Sequence, residues 1–136
     1  MAIRITELDH IVLNVSDVEA SLRFYTDVLG LAAERVDEFR QGKVGFPSVR
    51  INERTIIDLF PAKGRDRPAS EAKCSGNLDH FCLVVGADDF ADIVDYLGQS
   101  KISVRGGPVS RWGARGRATS VYFLDPDGNE IEIRCY

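Results

Sequence analysis

His10 and His80 are the only imidazoles in the chain's 136 residues, and both stand in the same surroundings. Leu8-Asp9-His10 opens the run Ile11-Val12-Leu13-Asn14-Val15, and Leu78-Asp79-His80 opens Phe81-Cys82-Leu83-Val84-Val85. Imidazole ligates transition metals and exchanges protons near neutral pH, or simply bonds to backbone. A mechanism that needs several imidazoles is excluded. Carboxylates recur in apolar company at Asp58, and at Glu130 and Glu132 just after Asp125-Pro126-Asp127-Gly128-Asn129. From Gln99 to Leu124 there is no acid, while Lys101, Arg105, Arg111, Arg115 and Arg117 surround Trp112. Such a patch suits a carboxylate, phosphate or thiol-conjugate anion, with Trp112 as an apolar wall; the other reading is solvated arginines or pairing with a partner subunit.

The elements that must position these groups read as one unit written twice, at an offset of 70 residues between the two histidines. After the first strand, Ser16 and Glu19 fit a capping box, and Val18, Leu22, Tyr25 and Leu29 follow at helical spacing before Gly30. After the second, Asp88 or Asp89 can cap a helix carrying Phe90, Ile93, Val94 and Leu97, with Gly98 as its stop. Three strands follow each helix: Ala32 to Glu38, Lys43 to Ile51 and Arg54 to Phe60, then Ile102 to Arg105, Thr119 to Leu124 and Glu130 to Cys135. Pro61 to Asn77 has a linker's composition, and Asp125 to Asn129 a tight turn's. The expected fold is α+β, two tandem βαβββ modules at 1–61 and 78–136 joined by a linker at 62–77.

Alternation along strands assigns faces. Ile11, Leu13 and Val15 oppose His10, Val12 and Asn14, while Phe81, Leu83 and Val85 oppose His80, Cys82 and Val84. Ile131, Ile133 and Cys135 oppose Glu130, Glu132 and Arg134; Ile57 and Leu59 oppose Ile56, Asp58 and Phe60. The apolar face takes the helix, so the other face receives both histidines and an acid-bearing strand from each half. Arg50 shares a face with Ser48 and Asn52, and with Tyr122 and Asn14 it is a candidate for lining a pocket.

Seventeen basic and twenty-one acidic side chains leave a net charge of -4, which disfavours nucleic acid and anionic membranes as partners. No apolar run is long enough to span a bilayer, and the first residues do not read as a secretion signal, so a cytoplasmic address is expected. The three cysteines Cys74, Cys82 and Cys135 lack CxxC spacing: Cys82 and Cys135 read as strand residues and Cys74 as a loop thiol.

Two βαβββ modules, each opening near a histidine, together with the Phe24 to Gly30 helix end and the turn before Glu130-Ile131-Glu132, resemble the vicinal oxygen chelate superfamily. It includes glyoxalase I, fosfomycin-resistance transferases, extradiol dioxygenases and bleomycin-resistance binding proteins; small glyoxalase-domain proteins, some labelled virulence-associated, are nearest in pattern. The resemblance implies a curved eight-stranded mixed sheet around a metal cleft. It also implies His10, His80 and Glu132 as ligands of one divalent metal per site, with Asp58 where a second acid stands; that aspartate is a ligand, a partner of one, or a rim residue. Imidazoles with carboxylates suit Zn, Ni, Co, Mn or Fe(II). The implied activity is metal chelation of a small oxygen-bearing, anionic substrate, with Glu132 or Asp58 as base in a glyoxalase-like lyase, or with the arginine patch orienting the electrophile of a thiol transferase; from the residues themselves, Arg50, Trp112, Arg115, Tyr122 and Asn14 are the candidates for binding the substrate in either. The alternatives are an Fe(II) extradiol-type dioxygenase and a metal-free binding protein. Chains of this kind imply a homodimer.

Overall fold

The computed structural model describes residue 4, residues 7–62, residue 78 and residues 80–136; most of the expected linker, with Cys74 and Asp79, lies outside them. The chain divides into two compact units, Met1–Asp66 and Arg67–Tyr136, each built on one four-stranded sheet. Among the described residues no helix is long and apolar enough to cross a membrane.

In the first unit the strands are β1 (His10–Val15), β2 (Ala32–Glu34), β3 (Ser48–Arg50) and β4 (Ile56–Pro61), in the order β1-β4-β3-β2. β1 runs parallel to β4, and the other pairs are antiparallel. A parallel pair needs a crossover, which begins with α1 (Val18–Arg23) packed on β4. Leu13, Val15, Leu22, Phe24, Tyr25, Val49, Ile57 and Leu59 form the core, all at 5% exposure or less. The helix start departs from the capping box: Asp17 is the N-cap, and its carboxylate accepts the Ala20 N–H at 3.0 Å. Glu19 instead accepts from Arg40 at 2.8 and 2.7 Å. The last turn, Phe24–Val28, widens to π geometry, where the Thr26 hydroxyl bonds back to the Leu22 carbonyl. Gly30 then ends it at φ +71°.

The strand expected to Glu38 stops at Glu34, because Arg35 turns the chain left-handed at φ 59° into α2 (Val36–Arg40). Asp37 and Glu38, read as strand residues, sit in that helix's first turn, where acids favour its positive end.

The second unit repeats the plan with β5 (His80–Val84), β6 (Gly106–Gly113), β7 (Gly116–Leu124) and β8 (Glu130–Cys135), ordered β5-β8-β7-β6. Two short helices, α3 (Ala87–Phe90) and α4 (Ile93–Gln99), replace the single expected one. Gly86 is the first N-cap, so Asp88 and Asp89 lie in the opening turn rather than at the cap. α4 runs through Gly98, and Lys101 at φ 60° makes the turn beyond it. The segment expected as strand at 102–105 is not one, and the arginine-rich stretch beyond it is. Proline at 108 and a register shift between Gly106 and Val109 interrupt the alternating pattern there and hide the strand. Before β8, buried Asp125 accepts the Asp127 and Asn129 amides at 3.0 and 2.8 Å, with Gly128 at φ +82°.

Ile57 and Ile131 are fully buried. Ile57→Ala and Ile131→Ala should each cost about 2–5 kcal/mol, whereas Trp112→Ala, at a site 72% exposed, should stay within about 0.5 kcal/mol. Urea midpoints compared among the three variants check this; equal losses would contradict the core assignment.

Candidate functional site

β8 has two buried faces. Ile131 and Ile133 point into the core, yet Glu132 and Arg134 on the opposite face are only 3% and 4% exposed. A buried carboxylate needs partners, and Glu132 has several among the described residues. Its Oε1 accepts a short hydrogen bond from the Ser120 hydroxyl and lies 3.6 Å from Arg134 Nη1. Its Oε2 is 3.1 Å from His80 Nε2. Register explains that contact: Cys82 of β5 lies opposite Glu132 and His80 opposite Glu130, so His80 and Glu132 are one pleat apart on a shared face. Tyr122, opposite Glu132 on β7, sets its ring edge-on to the His80 imidazole, centroids 5.7 Å apart. Burial first, then the Glu132 charge, raises the Tyr122 phenol above its ordinary pKa, so it stays protonated. The same two causes push the Cys82 thiol up to about 11.

In the first unit the matching acid, Asp58, is 6% exposed. Its Oδ1 accepts from the Ser48 hydroxyl at 2.5 Å and lies 3.4 Å from Arg35 Nη2, which also reaches the Ser48 hydroxyl. Arg35 spreads over the Phe46 ring at 4.7 Å, and Phe46 packs on Phe60 at 4.2 Å. His10 holds the slot equivalent to His80 but turns elsewhere: its Nδ1 is 2.6 Å from Asp9 Oδ1. That hydrogen bond raises the His10 pKa most, against the opposing effect of desolvation, and the charges of Asp58 and Asp9 add to it.

The proposed substrate residues fall in different places. Arg50 is bonded to Glu34 and to the carbonyls of Asn52 and Glu53 at 3.1 and 3.2 Å. Asn14 is exposed on β1 opposite Phe60. On the β6–β7 hairpin, Arg111 pairs with Ala118 and Trp112 with Arg117. Alternation then sets Arg111 on the Ser120, Tyr122 and Glu132 face, and Trp112 and Arg117 on the reverse, their guanidinium and ring 5.0 Å apart. This departs from the expectation of Trp112 as a wall beside the carboxylates. Arg115 sits in the hairpin turn with its guanidinium 4.1 Å from the Tyr136 ring centre. Ser48, Ser120, Arg35 and Arg134 went unseen as site residues: cross-strand register brings the serines to the acids, the left-handed turn after β2 brings Arg35, and Arg134 follows Glu132 by two residues on the same face of β8.

Among the described residues no three histidine, cysteine, aspartate or glutamate side chains gather closely enough to hold a metal ion. The donors of the second unit nonetheless fit one in type and spacing. Two ligands of a tetrahedral zinc stand roughly 3.3 Å apart given its bond lengths, and His80 Nε2 and Glu132 Oε2 are 3.1 Å apart.

Comparison with known proteins agrees with this architecture. The Glyoxalase/Bleomycin resistance protein/Dioxygenase superfamily matches residues 7–133. Virulence protein STM3117 of Salmonella typhimurium is 35% identical, over 97% of this chain and 85% of that protein. The structure of VPC_CASS1, from the mobile metagenome of V. Pseudocholerae, superposes with a TM-score of 0.78 at 30% identity, covering 100% of this chain and 98% of that one. Metallothiol transferase FosB of Staphylococcus epidermidis is 26% identical over 95% of this chain and 81% of that protein.

A thiol pushed up to about 11 resists alkylation at neutral pH. In a Cys74→Ser/Cys135→Ser background, the rate of iodoacetamide modification of Cys82 should rise with a midpoint near that value. Glu132→Gln removes the neighbouring anion, favours the thiolate and should move the midpoint down. A wild-type midpoint between pH 8 and 9, the range of an unperturbed thiol, would contradict the placement of Cys82.

Proposed function

The chain belongs to the Glyoxalase/Bleomycin resistance protein/Dioxygenase superfamily, and from that premise we propose a divalent-metal-dependent enzyme of the lyase or thiol-transferase kind, acting on a small anionic substrate through its oxygen atoms. The observation that carries this reading is the His80–Glu132 pair, an imidazole 3.1 Å from a carboxylate that is 3% exposed. A solvated strand acid has no need of burial, and a binding pocket without chemistry has no need of that pair. In the second unit His80 and Glu132 would hold an ion, and His10 and Asp58 occupy the equivalent positions within the first unit; Zn, Ni, Co, Mn and Fe(II) all suit such ligands. The ion would supply Lewis acidity to substrate oxygens.

The remaining work falls to the chain's own groups. Ser120 fixes Oε1 of Glu132 and so sets the plane of the carboxylate, directing Oε2 toward His80. As general base, a Glu132 carboxylate not engaged by the ion would take a proton from carbon next to a substrate carbonyl. Asp58, with Oδ1 held by Ser48 and Arg35, is the second candidate base. Tyr122, kept protonated by burial and the Glu132 charge, would donate a hydrogen bond to an oxygen on this face. Arg111 brings a positive charge to the same face for an anionic substituent. The likeness to a metallothiol transferase supports the thiol-transfer form, in which Arg111 and Tyr122 would orient the electrophile. A homodimer belongs to this reading, since the outer strands β1, β2, β5 and β6 need covering.

Metal analysis of protein purified without added metal tests the proposal. Wild type should carry about one divalent ion per site; His80→Ala and Glu132→Ala should lose it. Ser120→Ala should bind about 10–100-fold more weakly, as loss of a ligand's hydrogen-bond partner does. Equally weak binding by all four proteins would move the reading to a metal-free binding protein, and stoichiometric iron to a dioxygenase.

A further inference from the structure

Arg134 is a buried cation two residues beyond Glu132, on the same face of β8. Its guanidinium donates to three backbone carbonyls at the end of the β6–β7 hairpin: Trp112 from Nη1 at 3.0 Å, and Arg111 and Gly116 from Nη2 at 2.9 and 3.3 Å. The same Nη1 lies 3.6 Å from Glu132 Oε1. Tyr136 covers the group with its ring centre 4.9 Å away, and takes the Arg115 amide on its hydroxyl at 2.9 Å. Gly113 completes the passage, because a Cβ there would collide with Nη1 and Cζ of Arg134. Nε is buried without a hydrogen-bond partner, so the fork is aimed by its two outer nitrogens.

We propose that Arg134 is a positioning residue, a single guanidinium that ties the Glu132 carboxylate to the hairpin end and so fixes Arg111 over the Glu132 face. Three features support this over a general role in stability. An apolar side chain would fill a buried position at no charge-burial cost, yet a cation is placed here, beside the site's acid. Its hydrogen bonds converge on the residues flanking one turn rather than spreading through the core. One of those bonds is to the backbone of Arg111, the hairpin arginine that shares the face of Tyr122 and Glu132. Lysine keeps the charge but lacks the planar fork that holds three carbonyls at once. The inference deepens the reading above and rests on it for the importance of Glu132.

Arg134→Lys and Arg134→Met test it, with three measurements on the full chain. Trypsin cleavage after Arg111, Arg115 and Arg117 in the folded protein reports hairpin order, and should quicken at least tenfold. Trp112, the chain's one tryptophan, should show a larger fast component in its fluorescence anisotropy decay. Cobalt(II) affinity, measured by competition with a coloured chelator, should fall about 10–100-fold. Gly113→Ala should copy these effects, and combined with Arg134→Met it should be no worse than the worse single change. A looser hairpin with unchanged cobalt affinity would reduce Arg134 to a structural strut and overturn the proposal. So would unchanged cleavage and anisotropy in both Arg134 variants. If wild type binds no cobalt, the metal reading falls by itself, and the tie to the hairpin is judged on trypsin and Trp112.

Discussion

The burial of Glu132 is the constraint on which the second unit is arranged. An ionised carboxylate loses several kcal/mol of hydration when removed from water unless other dipoles and charges replace it. Here a hydroxyl, an imidazole and a guanidinium do so, each from a position set by strand register. Moving β5 by one residue relative to β8 would turn His80 to the other face, and moving β7 would do the same to Ser120. Parallel pairing of β5 with β8 and antiparallel pairing of β8 with β7 are therefore both requirements of the carboxylate. The apolar face of β8, with Ile131 and Ile133 in the core, enforces that register independently.

The first unit keeps the plan and changes the partners. Asp58 is buried opposite Val12 as Glu132 is opposite Cys82, and each acid has a serine and an arginine beside it. The serines differ in register: Ser48 faces Asp58 directly, whereas the residue facing Glu132 is Tyr122. Aspartate is one methylene shorter, so a hydroxyl reaches it from the directly opposed position. The arginines differ further. Arg35 comes from the left-handed turn after β2, while Arg134 comes from the acid's own strand. Asp58 is tied to Arg35 and Ser48, and His10 has Asp9 as its partner instead.

The repeat, the histidine slots and the alternating faces were legible in the sequence, because short strands with one apolar face carry a period of two whatever their neighbours. Where glycine, proline or a left-handed residue broke that period, the reading failed. Arg35 ended β2 early, and Pro108 hid the strand that carries the arginines. The carboxylate partners were illegible for another reason. Ser120 reaches Glu132 through pairing between strands, and a single strand's pattern does not contain its register; Arg134 shares the acid's own strand and face, but the hairpin carbonyls it holds lie on other strands.

The positive patch shows how much that register decides. By composition it is one cluster of five cations around a tryptophan. On the β6–β7 hairpin it separates into Arg111 on the face of Tyr122 and Glu132, Arg117 stacked with Trp112 on the reverse, and Arg115 at the turn over Tyr136. A charge two residues nearer or farther along the strand would share the carboxylate's face, but one residue displaced does not. Net charge in a segment therefore overstates what a site receives from it. Of these hairpin cations, Arg111 shares the face of the buried acid, and the guanidinium holding its backbone comes from the acid's own strand.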